Sequence, residues 1–326
     1  MRAVVAPGDG RIEVLDRPDP RPGPGQVVVA VAGAGLNRAD LLQRQGLYPA
    51  PPGSPADIPG LEFSGEVIER GEGVATPIVG QRVFGVTGGG CQAERLAVDA
   101  RHCALVPDAV DLAEAGAAPE VFVTAHDAMR TRAALQPGES VLVHAAGSGV
   151  GTAVVQLAKA WGCPVTGTAR TAGKLDRAAE LGLDHGIVPG DPFDPSELAA
   201  QLVNAAGALD VTIDLVGGPY VVADVLAAAL LGRIVIVGML AGGRADLPIG
   251  LVMGKRLAIH GTVLRARSDE HKAAAMRGFA DEVVPLLADR SVAPIVDRTF
   301  PLEQAAQAYE LLASDTTFGK VLLHAG

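Results

Sequence analysis

The sequence predicts an α/β protein with two domains: a β-rich domain built from both ends of the chain, and a doubly wound parallel sheet between them. Its 326 residues exceed the roughly 250–300 residues at which a single hydrophobic core usually stops growing. Short apolar runs separated by proline and glycine fill the beginning of the chain, and strand-like and helix-like segments alternate in the middle. The last part returns to a mixed pattern, which suggests that it rejoins the beginning.

The beginning of the chain, up to residue 118, predicts short strands in a compact β-rich domain. Turns rich in proline and glycine separate these strands, as at residues 22–25 and 71–73. The stretch from Tyr48 to Pro59 contains five prolines, and we expect it to form an ordered loop in the wall of a cleft. The predicted strands lie at 27–31, 66–68, 82–86 and 93–98.

The pattern changes near Asp111, where a capping box formed with Glu114 predicts the start of a helix. Strands and helices then alternate, which predicts a parallel sheet with helices on both faces. The predicted strands are 140–144, 165–168, 187–188, 211–215, 233–237 and 257–263. The predicted helices are 150–161, 174–181, 196–204 and 221–230.

The C-terminal part predicts helices at 272–288 and 302–313 and strands at 296–300 and 319–323. Because this mixture is similar to the beginning of the chain, we expect it to complete the first domain. The predicted domains are therefore residues 1–118 with 264–326, and residues 119–263.

Composition and charge exclude several classes of protein. The 27 basic and 37 acidic residues give a net charge of -10, which argues against a protein that binds nucleic acid. No apolar run reaches the roughly 18 residues of a membrane span, and the N-terminus has no signal-peptide core. The three cysteines include no Cys-x-x-Cys pair and predict neither a disulfide framework nor a thiolate zinc site. We therefore expect a cytoplasmic protein that does not bind membranes.

A glycine-rich turn is the strongest motif in the chain, and it lies between a predicted strand and a predicted helix. Glycines let the backbone approach a pyrophosphate, whose charge is stabilised by free N–H groups at a helix N-terminus. The spacing Gly-x-Gly-x-Gly is shorter than the standard fingerprint, so the prediction depends on the strand-turn-helix context. A tight packing turn without a ligand is the alternative. The residues predicted to contact the dinucleotide here are Gly147, Ser148, Gly149, Val150 and Gly151.

The end of the next predicted strand indicates which dinucleotide is bound. NAD sites place an acidic residue about 20 residues after the glycine turn. No acid occurs here: Thr168 ends the strand, Arg170 stands where the acid would be, and Lys174 follows one turn later. Both cations would bind a 2′-phosphate through charge-assisted hydrogen bonds. The sequence therefore predicts NADP(H), contacted by Thr168, Arg170 and Lys174, with a solvated arginine at a strand end as the alternative.

No histidine pairs with a cysteine or an acid at a ligand-like spacing, apart from adjacent His102 and Cys103 at a predicted strand end. We therefore predict no metal site, and we interpret His144 as a structural residue. The sequence also lacks a Gly-x-Ser-x-Gly nucleophile motif. A bound reductant without a metal or a nucleophile suits hydride donation to an electron-poor acceptor such as a quinone or an enone.

Several long segments have the order found in a known family: 36–48, 118–120 with 124–125, 148–153, 264–267 and 318–321. They resemble the zinc-free quinone oxidoreductase branch of the medium-chain dehydrogenase/reductase family, especially its stress-inducible quinone oxidoreductase subgroup. The resemblance implies a GroES-like catalytic domain split around a Rossmann domain. Zinc-dependent relatives have a cysteine where Asn37 stands and a histidine where Leu61 stands, and a four-cysteine lobe where this chain has only Cys91. The resemblance therefore also implies that this chain lacks both zinc sites of those relatives, the catalytic site and the four-cysteine site.

The resemblance also implies three catalytic residues. Asn37 and Thr124 are expected near the nicotinamide, and they contact the cofactor as well. Tyr48 is expected to face the substrate, as a proton donor or as part of the pocket wall. The alternatives are an Asx-turn for Asn37, a hydroxyl bonded to its own helix for Thr124, and a buried structural role for Tyr48.

Further cofactor contacts are implied at two other places. Gly238 and Met239 follow a predicted strand and are expected to approach the cofactor, with a plain turn as the alternative. Leu264, Arg265 and Lys320 are expected to close over the cofactor, with surface charges as the alternative for the two basic residues. Many relatives also hold the adenosine phosphate with a tyrosine that residues 185–190 lack, so the two cations after the second strand would act alone.

The sequence as a whole predicts an NADPH-dependent, metal-free enzyme that reduces quinones or related α,β-unsaturated carbonyls by hydride transfer. The proton would come from solvent or from Tyr48. The alternatives are an enone or enoyl-thioester reductase and a non-catalytic NADPH-binding redox sensor. The resemblance implies a homodimer, for which the apolar stretch 230–240 would supply an interface edge if it is not simply a buried strand.

Overall fold

The computed structural model describes residues 1–325, and these residues divide into two compact units. One unit comprises Met1–Val123 together with the chain from Leu264 onward, and the other comprises Thr124–Val263. The boundary near Val123 falls inside a helix, five residues after the start that the sequence predicts for the middle domain.

The described residues form fifteen strands: β1 (Arg2–Val5), β2 (Glu13–Asp16), β3 (Gln26–Gly35), β4 (Glu62–Arg70), β5 (Arg82–Val86), β6 (Arg95–Asp99), β7 (Cys103–Leu105), β8 (Val141–Val143), β9 (Val165–Thr168), β10 (His185–Ile187), β11 (Leu209–Asp214), β12 (Ala228–Ile236), β13 (Ala258–Gly261), β14 (Val296–Pro301) and β15 (Lys320–His324). The α-helices of the same residues are α1 (Arg38–Arg44), α2 (Pro119–His126), α3 (Gly149–Ala160), α4 (Ala172–Glu180), α5 (Pro195–Ala206), α6 (Tyr220–Ala227), α7 (Ile249–Lys255), α8 (Asp269–Glu282), α9 (Val284–Ala288) and α10 (Ala305–Ala313).

The first unit is built on a seven-stranded sheet in the order β14-β15-β3-β4-β5-β7, with β6 paired to β3. Its pairs are antiparallel except for β14 and β15, and β1 and β2 form a separate antiparallel pair. Strand β15 pairs with β3 at Leu323 and Ala34, so the C-terminal strand enters the sheet of the N-terminal strands. Alternate residues of β3, such as Val27 and Val29, pack with Phe63 in its core.

The second unit is a six-stranded, fully parallel sheet in the order β10-β9-β8-β11-β12-β13. Helices α3 to α6 connect successive strands, and α5 and α6 pack on β8 through Leu142, Leu198 and Ala223. The strand order reverses between β8 and β11, and ligands of such sheets bind beyond the carboxyl ends of the strands at this point. The predicted combination of a β-rich domain and a doubly wound parallel sheet is confirmed.

Several boundaries differ from the prediction. Helix α6 ends at Ala227 instead of residue 230, because Ala228 is already extended and pairs with β11. The predicted helix 272–288 is two helices that meet at Val283, since Pro285 cannot donate a backbone hydrogen bond to a continuous helix. Asp111 accepts the N–H of Glu114 as predicted, but the turn it caps is a short 3₁₀-helix that precedes α2.

Candidate functional site

The glycine-rich turn joins β8 to α3 at the point where the strand order reverses. Ser148 is the N-cap of α3, and its Oγ accepts the N–H of Gly151 at 3.1 Å. A Cβ on Gly151 would lie 2.3 Å from the carbonyl oxygen of Ala145, so only glycine fits this turn. Three other amides of the turn form no hydrogen bond within the described residues and remain open to an anion: Gly147, Gly149 and Val150.

The end of β9 presents two cations and no carboxylate. Arg170 is exposed just after the strand, and Lys174 lies in the first turn of α4. Thr168 is buried, and its Oγ1 lies 2.8 Å from Nδ1 of His144. The hydroxyl of Thr168 is therefore engaged with a buried histidine, whereas Arg170 is exposed and Lys174 is half-buried.

His144 and Asp224 form a fully buried pair that ties β8 to α6, with Nε2 and Oδ1 2.7 Å apart. Burial alone would lower the pKa of His144, but the charge of Asp224 and the hydrogen bond to it raise that pKa above its ordinary value. Burial raises the pKa of Asp224 to about 6, against the effect of the neighbouring histidine. His144 thus holds the strand ends in place, in agreement with its interpretation as a structural residue.

The turns after β11 and β12 are packed against each other. Asp214 ends β11, and its Oδ1 accepts the N–H groups of Val216 and Gly217 at 2.8 and 2.9 Å. A Cβ on Gly238 would lie 2.3 Å from the carbonyl oxygen of Leu215, so this close approach requires glycine. The next residue, Met239, is 69% exposed and is available to a ligand at the carboxyl edge of the sheet.

In the other unit, a lysine lies among oxygen atoms at the start of α1. The Nζ atom of Lys320 donates to Oδ1 of Asn37 at 2.6 Å and to the carbonyl of Leu36, and it lies 2.7 Å from Oε1 of Glu62. Asn37 donates from Nδ2 to the same carboxylate at 3.2 Å. The side chain of Asn37 is therefore fixed by a buried ion pair, at the residue that caps α1.

Two further acids surround this ion pair. Asp40 accepts the N–H groups of Asn37 and Gly60 at 2.8 and 3.1 Å, and burial raises its pKa to about 6. The backbone N–H of Glu120 donates to Oε2 of Glu62 at 2.9 Å. Burial, and then the charge of Glu62, raise the pKa of Glu120 to about 8. The carboxyl group of Glu120 has no hydrogen-bond or ion-pair partner among the described residues.

Arg265 anchors the proline-rich loop that carries Tyr48. Its guanidinium donates to the carbonyls of Gly88 and Tyr48 at 2.9 and 3.0 Å and to Oε1 of Gln43 at 2.5 Å. It also lies 4.8 Å from the ring centroid of Tyr48. Burial raises the pKa of the Tyr48 phenol, an effect that the charge of Arg265 opposes. The phenol itself bonds to none of the residues that the structure describes.

Two more predicted residues are buried. Thr124 lies in α2, and its hydroxyl forms no hydrogen bond within residues 1–325, so it is not bonded to its own helix. Leu264 precedes Arg265 and packs in the interior. The first unit thus brings together Asn37 and Lys320, and separately Tyr48 and Arg265.

The chain is similar to known proteins along most of its length. Residues 23–108 match the family described as alcohol dehydrogenase GroES-like domain, and residues 149–279 match the family described as zinc-binding dehydrogenase. The bovine quinone oxidoreductase-like protein 2 is 31% identical over 313 residues, which cover 95% of this chain and 88% of that protein. The chain belongs to the medium-chain dehydrogenase/reductase family.

Other proteins similar to this chain differ in length and in the activity that their names give. The polyketide synthase GfsB of Streptomyces halstedii is 33% identical over 298 residues, but this chain spans only 5% of its length. The quinone oxidoreductase of Thermus thermophilus, solved also as its complex with NADPH, has 31% identity and a TM-score of 0.83 with full coverage of both chains. A structure described as an NAD-dependent alcohol dehydrogenase has 31% identity and a TM-score of 0.86, also with full coverage.

The family's zinc chemistry has no evident ligand set in the described part of this chain. No group of three or more histidine, cysteine, aspartate or glutamate side chains is arranged to hold a metal ion there. None of the described helices combines the length and the apolar character needed to cross a membrane.

Sequence reasoning missed the acids of the site. Glu62, Asp40 and Glu120 surround the predicted Asn37, and Asp224 holds the predicted Thr168 through His144. A signal existed only for Asp40, which stands three residues after Asn37 in the spacing of a capping box. The other acids come from distant segments, so no local pattern joins them.

Proposed function

We propose that this family member is an NADPH-dependent, zinc-independent oxidoreductase that reduces quinones or related α,β-unsaturated carbonyls. The observation that carries the proposal is that the ammonium of Lys320 is bonded to Asn37 and paired with Glu62, while three amides of the glycine-rich turn form no hydrogen bond in the described chain. The first unit, which would be the catalytic unit, therefore holds a fixed ammonium group. The second unit, which would bind the dinucleotide, has backbone amides that can bind an anion.

The residues of the second unit fit a dinucleotide. The unbonded amides of the glycine-rich turn would bind its diphosphate, and Arg170 with Lys174 would bind the 2′-phosphate of NADPH. Gly238 and Met239 would approach it from the turn after β12. When bound, the reduced nicotinamide supplies the hydride.

The residues of the first unit would position the reacting groups. Asn37 is held by Lys320 and Glu62, so its amide orientation is set before any ligand binds. Tyr48 has an uncommitted phenol on a loop anchored by Arg265, and Thr124, the first residue of the second unit, has an uncommitted hydroxyl. Lys320 would therefore act by fixing Asn37, and Arg265 by anchoring the loop of Tyr48, while Leu264 stays a proposed cofactor contact.

The absence of zinc chemistry is part of the proposal, although one of the matching families is described as zinc-binding. The zinc-dependent relatives have cysteine and histidine where this chain has Asn37 and Leu61. Leu61 is a buried apolar side chain and provides no ligand atom. The ammonium of Lys320 places a positive charge beside Glu62 in this chain.

Two alternatives are favoured by specific observations. The similarity to part of a polyketide synthase favours an enone or enoyl-thioester reductase. The buried acids of the catalytic unit favour a redox sensor that binds NADPH but does not turn it over. The named quinone relatives and the uncommitted Tyr48 and Thr124 favour the quinone reductase.

The expected partners are a quinone or enone substrate and a second copy of the chain. Strand β13 is the edge of the parallel sheet, and apolar side chains are exposed on the neighbouring segments, which supports a homodimer. The exposed apolar residues include Leu230, Leu231, Met239, Leu240, Ile249 and Met253. Light scattering of the purified protein measures its mass and so distinguishes a monomer from a dimer.

A cytoplasmic location stays a prediction, supported by three cysteines that form no disulfide in the described chain.

The test is oxidation of NADPH with a panel of quinones, simple enones and enoyl thioesters, repeated with NADH and after chelation. We expect quinones and enones to be reduced at a rate that chelation leaves unchanged. Much faster turnover of enoyl thioesters would establish the first alternative. Tight NADPH binding without oxidation on any acceptor would establish the sensor, and loss of activity on chelation would contradict a metal-free reaction.

Cofactor preference is tested by Arg170→Ala and Lys174→Ala. Each charge-assisted bond to a phosphate is worth roughly 1.5–3 kcal/mol, so each substitution should raise the KM for NADPH by about 10- to 100-fold. The KM for NADH should change little, because NADH lacks the 2′-phosphate. Arg177→Ala, an exposed cation on the same helix, is the control. An unchanged ratio of the two KM values would contradict the NADPH assignment.

A further inference from the structure

The first part of the proline-rich loop is attached to the rest of its unit at very few points. Backbone hydrogen bonds to neighbouring segments hold residues 57–59. Within the described chain, residues 48–56 form only two hydrogen bonds to other segments, through the carbonyl oxygens of Tyr48 and Ala56. Both donors are side chains, so the position of this part of the loop depends on them.

The two donors are bonded to each other. Gln43 lies in α1 and donates from Nε2 to the carbonyl of Ala56 at 3.3 Å. Arg265 donates to the carbonyl of Tyr48 at 3.0 Å and to Oε1 of Gln43 at 2.5 Å. Both side chains are buried, each with 3% of its surface exposed. The pair, called here the Gln43–Arg265 clamp, therefore joins the two ends of residues 48–56.

Gln43 has a position in this clamp that no other side chain of the described residues fills. It is the only side chain among them that accepts a hydrogen bond from the guanidinium of Arg265, whose other bonds go to backbone carbonyls. A buried guanidinium that loses an acceptor must move toward another acceptor or toward water. Loss of the Gln43 amide would therefore free the carbonyl of Ala56 and also displace Arg265.

The loop also packs closely against the turn after β5. A Cβ on Gly88 would lie 2.5 Å from both Cγ of Pro51 and Oγ of Ser54, so no space separates the loop from this turn. The carbonyl of the same glycine accepts Arg265 at 2.9 Å. Four prolines between residues 49 and 55 restrict the backbone further. With the clamp intact, residues 48–56 therefore form a fixed surface.

We propose that Gln43 is a positioning residue that holds the loop of Tyr48 in place through the clamp and thereby limits the size of the acceptor; this inference rests on the proposed function. Tyr48 is the residue expected to face the acceptor, and its ring lies 4.8 Å from the guanidinium that Gln43 holds. A site with a fixed wall selects acceptors by size, whereas a loose wall admits larger acceptors and orients small ones less well. The clamp therefore favours single-ring quinones over multi-ring ones.

A first test needs no turnover. Hydrogen–deuterium exchange of the full-length protein without cofactor, read by mass spectrometry, should show faster exchange of the amides of residues 48–56 in Gln43→Ala than in the wild type. The rest of the first unit should exchange at the wild-type rate. Gln45→Ala, which changes an exposed glutamine at the end of the same helix, should exchange as the wild type does throughout.

A second test measures the choice of acceptor. In Gln43→Ala, the ratio of kcat/KM for 9,10-phenanthrenequinone to that for 1,4-benzoquinone should rise at least about 10-fold, because the KM for the larger quinone falls and the kcat for the smaller one decreases. The KM for NADPH should stay the same. Gln43→Glu should give an intermediate ratio, because its carboxylate accepts from Arg265 but cannot donate to Ala56.

A third variant moves the loop and leaves both side chains of the clamp in place. Gly88→Ala introduces a Cβ that would displace Pro51 and Ser54, so it should raise the same ratio and speed exchange in the same segment. Gly89→Ala is the matched control, because its Cβ position has only ordinary contacts, the nearest at 3.4 Å. This variant should keep the wild-type ratio.

The outcomes separate this inference from the proposed function. Wild-type exchange of residues 48–56 in Gln43→Ala, or faster exchange throughout the first unit, would show that Gln43 does not hold this loop specifically. Faster exchange of the loop with an unchanged acceptor ratio would show that the loop does not select the acceptor. Each of these results overturns the role of Gln43 and leaves quinone reduction intact. Failure of the wild type to oxidise NADPH with any acceptor would instead contradict the proposed function.

Discussion

At the scale of single residues, the buried pair of His144 and Asp224 shows how the dinucleotide unit holds its strand ends. The imidazole contacts Asp224 on one side and Thr168 on the other, so one ring links β8, α6 and the end of β9. Both side chains of the ion pair are fully buried, and one oxygen of Asp224 has no hydrogen-bond partner in the structure. Such a pair stabilises the fold only as long as both partners are present.

Asp224→Ala should therefore destabilise the protein strongly. Removing one partner of a buried pair costs about 3–5 kcal/mol, because the other polar group is left buried and unpaired. Urea unfolding followed by circular dichroism measures the loss. Glu180→Gln, an exposed acid at the end of α4, should have almost no effect. A loss for Asp224→Ala as small as that of the control would show that the pair does not hold the unit together.

The sequence predicted the position of the glycine-rich turn, because a local pattern marked it. Ser148 and Gly151 lie in the predicted turn. This turn could be predicted because a strand, a glycine turn and a helix form a recognisable pattern within about ten residues. Glu62 and Lys320 come from distant segments, and the pairing of β15 with β3 and of β3 with β4 brings them together. No spacing in the sequence encodes that meeting.

At the scale of elements, the approach of α3 to the end of β8 depends on Gly151. Its Cβ position lies 2.3 Å from a backbone carbonyl, which cannot move away as a flexible side chain would. The same turn presents the unbonded amides that we assign to the diphosphate. The backbone conformation of this turn therefore determines both how α3 packs against the end of β8 and how the turn would bind a diphosphate.

Gly151→Ala should force the turn open, destabilise the protein by about 1–3 kcal/mol and weaken NADPH binding at least tenfold. Gly254→Ala is the matched control, because Gly254 lies in helix α7 with open space around its Cβ position. That substitution should be neutral or stabilising by up to about 1 kcal/mol. Thermal unfolding and NADPH fluorescence titration check both variants, and equal NADPH affinities would contradict the role of the turn.

The elements themselves were predictable wherever hydrophobic periodicity was strong. The alternation of β8, α3, β9 and α4 was found to within two residues at each end. The boundary between α6 and β12 was missed, because residues 221–237 are apolar throughout and periodicity alone does not separate a buried helix from a buried strand. Helix α1 was not predicted although Asp40 stands at capping-box spacing, because this seven-residue helix buries the polar side chains of Asp40 and Gln43 and so lacks a hydrophobic periodicity.

At the scale of the whole molecule, both units contain buried acids whose pKa is raised. Burial raises the pKa of Asp40 and Asp224 to about 6, and burial with a neighbouring charge raises that of Glu120 to about 8. The native state therefore binds more protons than the unfolded state between the ordinary pKa of each group and its raised value. The raised pKa of His144 acts in the same direction. Stability from these groups is complete below their ordinary pKa values and is lost as pH rises through the raised ones.

The protein should consequently become less stable as pH rises from about 5 to 9. The acids whose pKa is lowered, such as Glu94 and Asp184, have the opposite effect only in the acid range, because both their native and ordinary pKa values lie below pH 5. Thermal unfolding between pH 5 and pH 9 should show a steady decrease in Tm. The part due to Glu120 falls between about pH 4.5 and about pH 8.

Glu120→Gln isolates that part, because glutamine is neutral at every pH and replaces a carboxyl group that forms no hydrogen bond in the described chain. The Tm of Glu120→Gln minus that of the wild type should increase from pH 6 to pH 9, since only the wild type must ionise a carboxyl group beside Glu62. Glu114→Gln should show a constant difference, because that acid is exposed. A difference for Glu120→Gln that is independent of pH would mean that Glu120 is already ionised at pH 6.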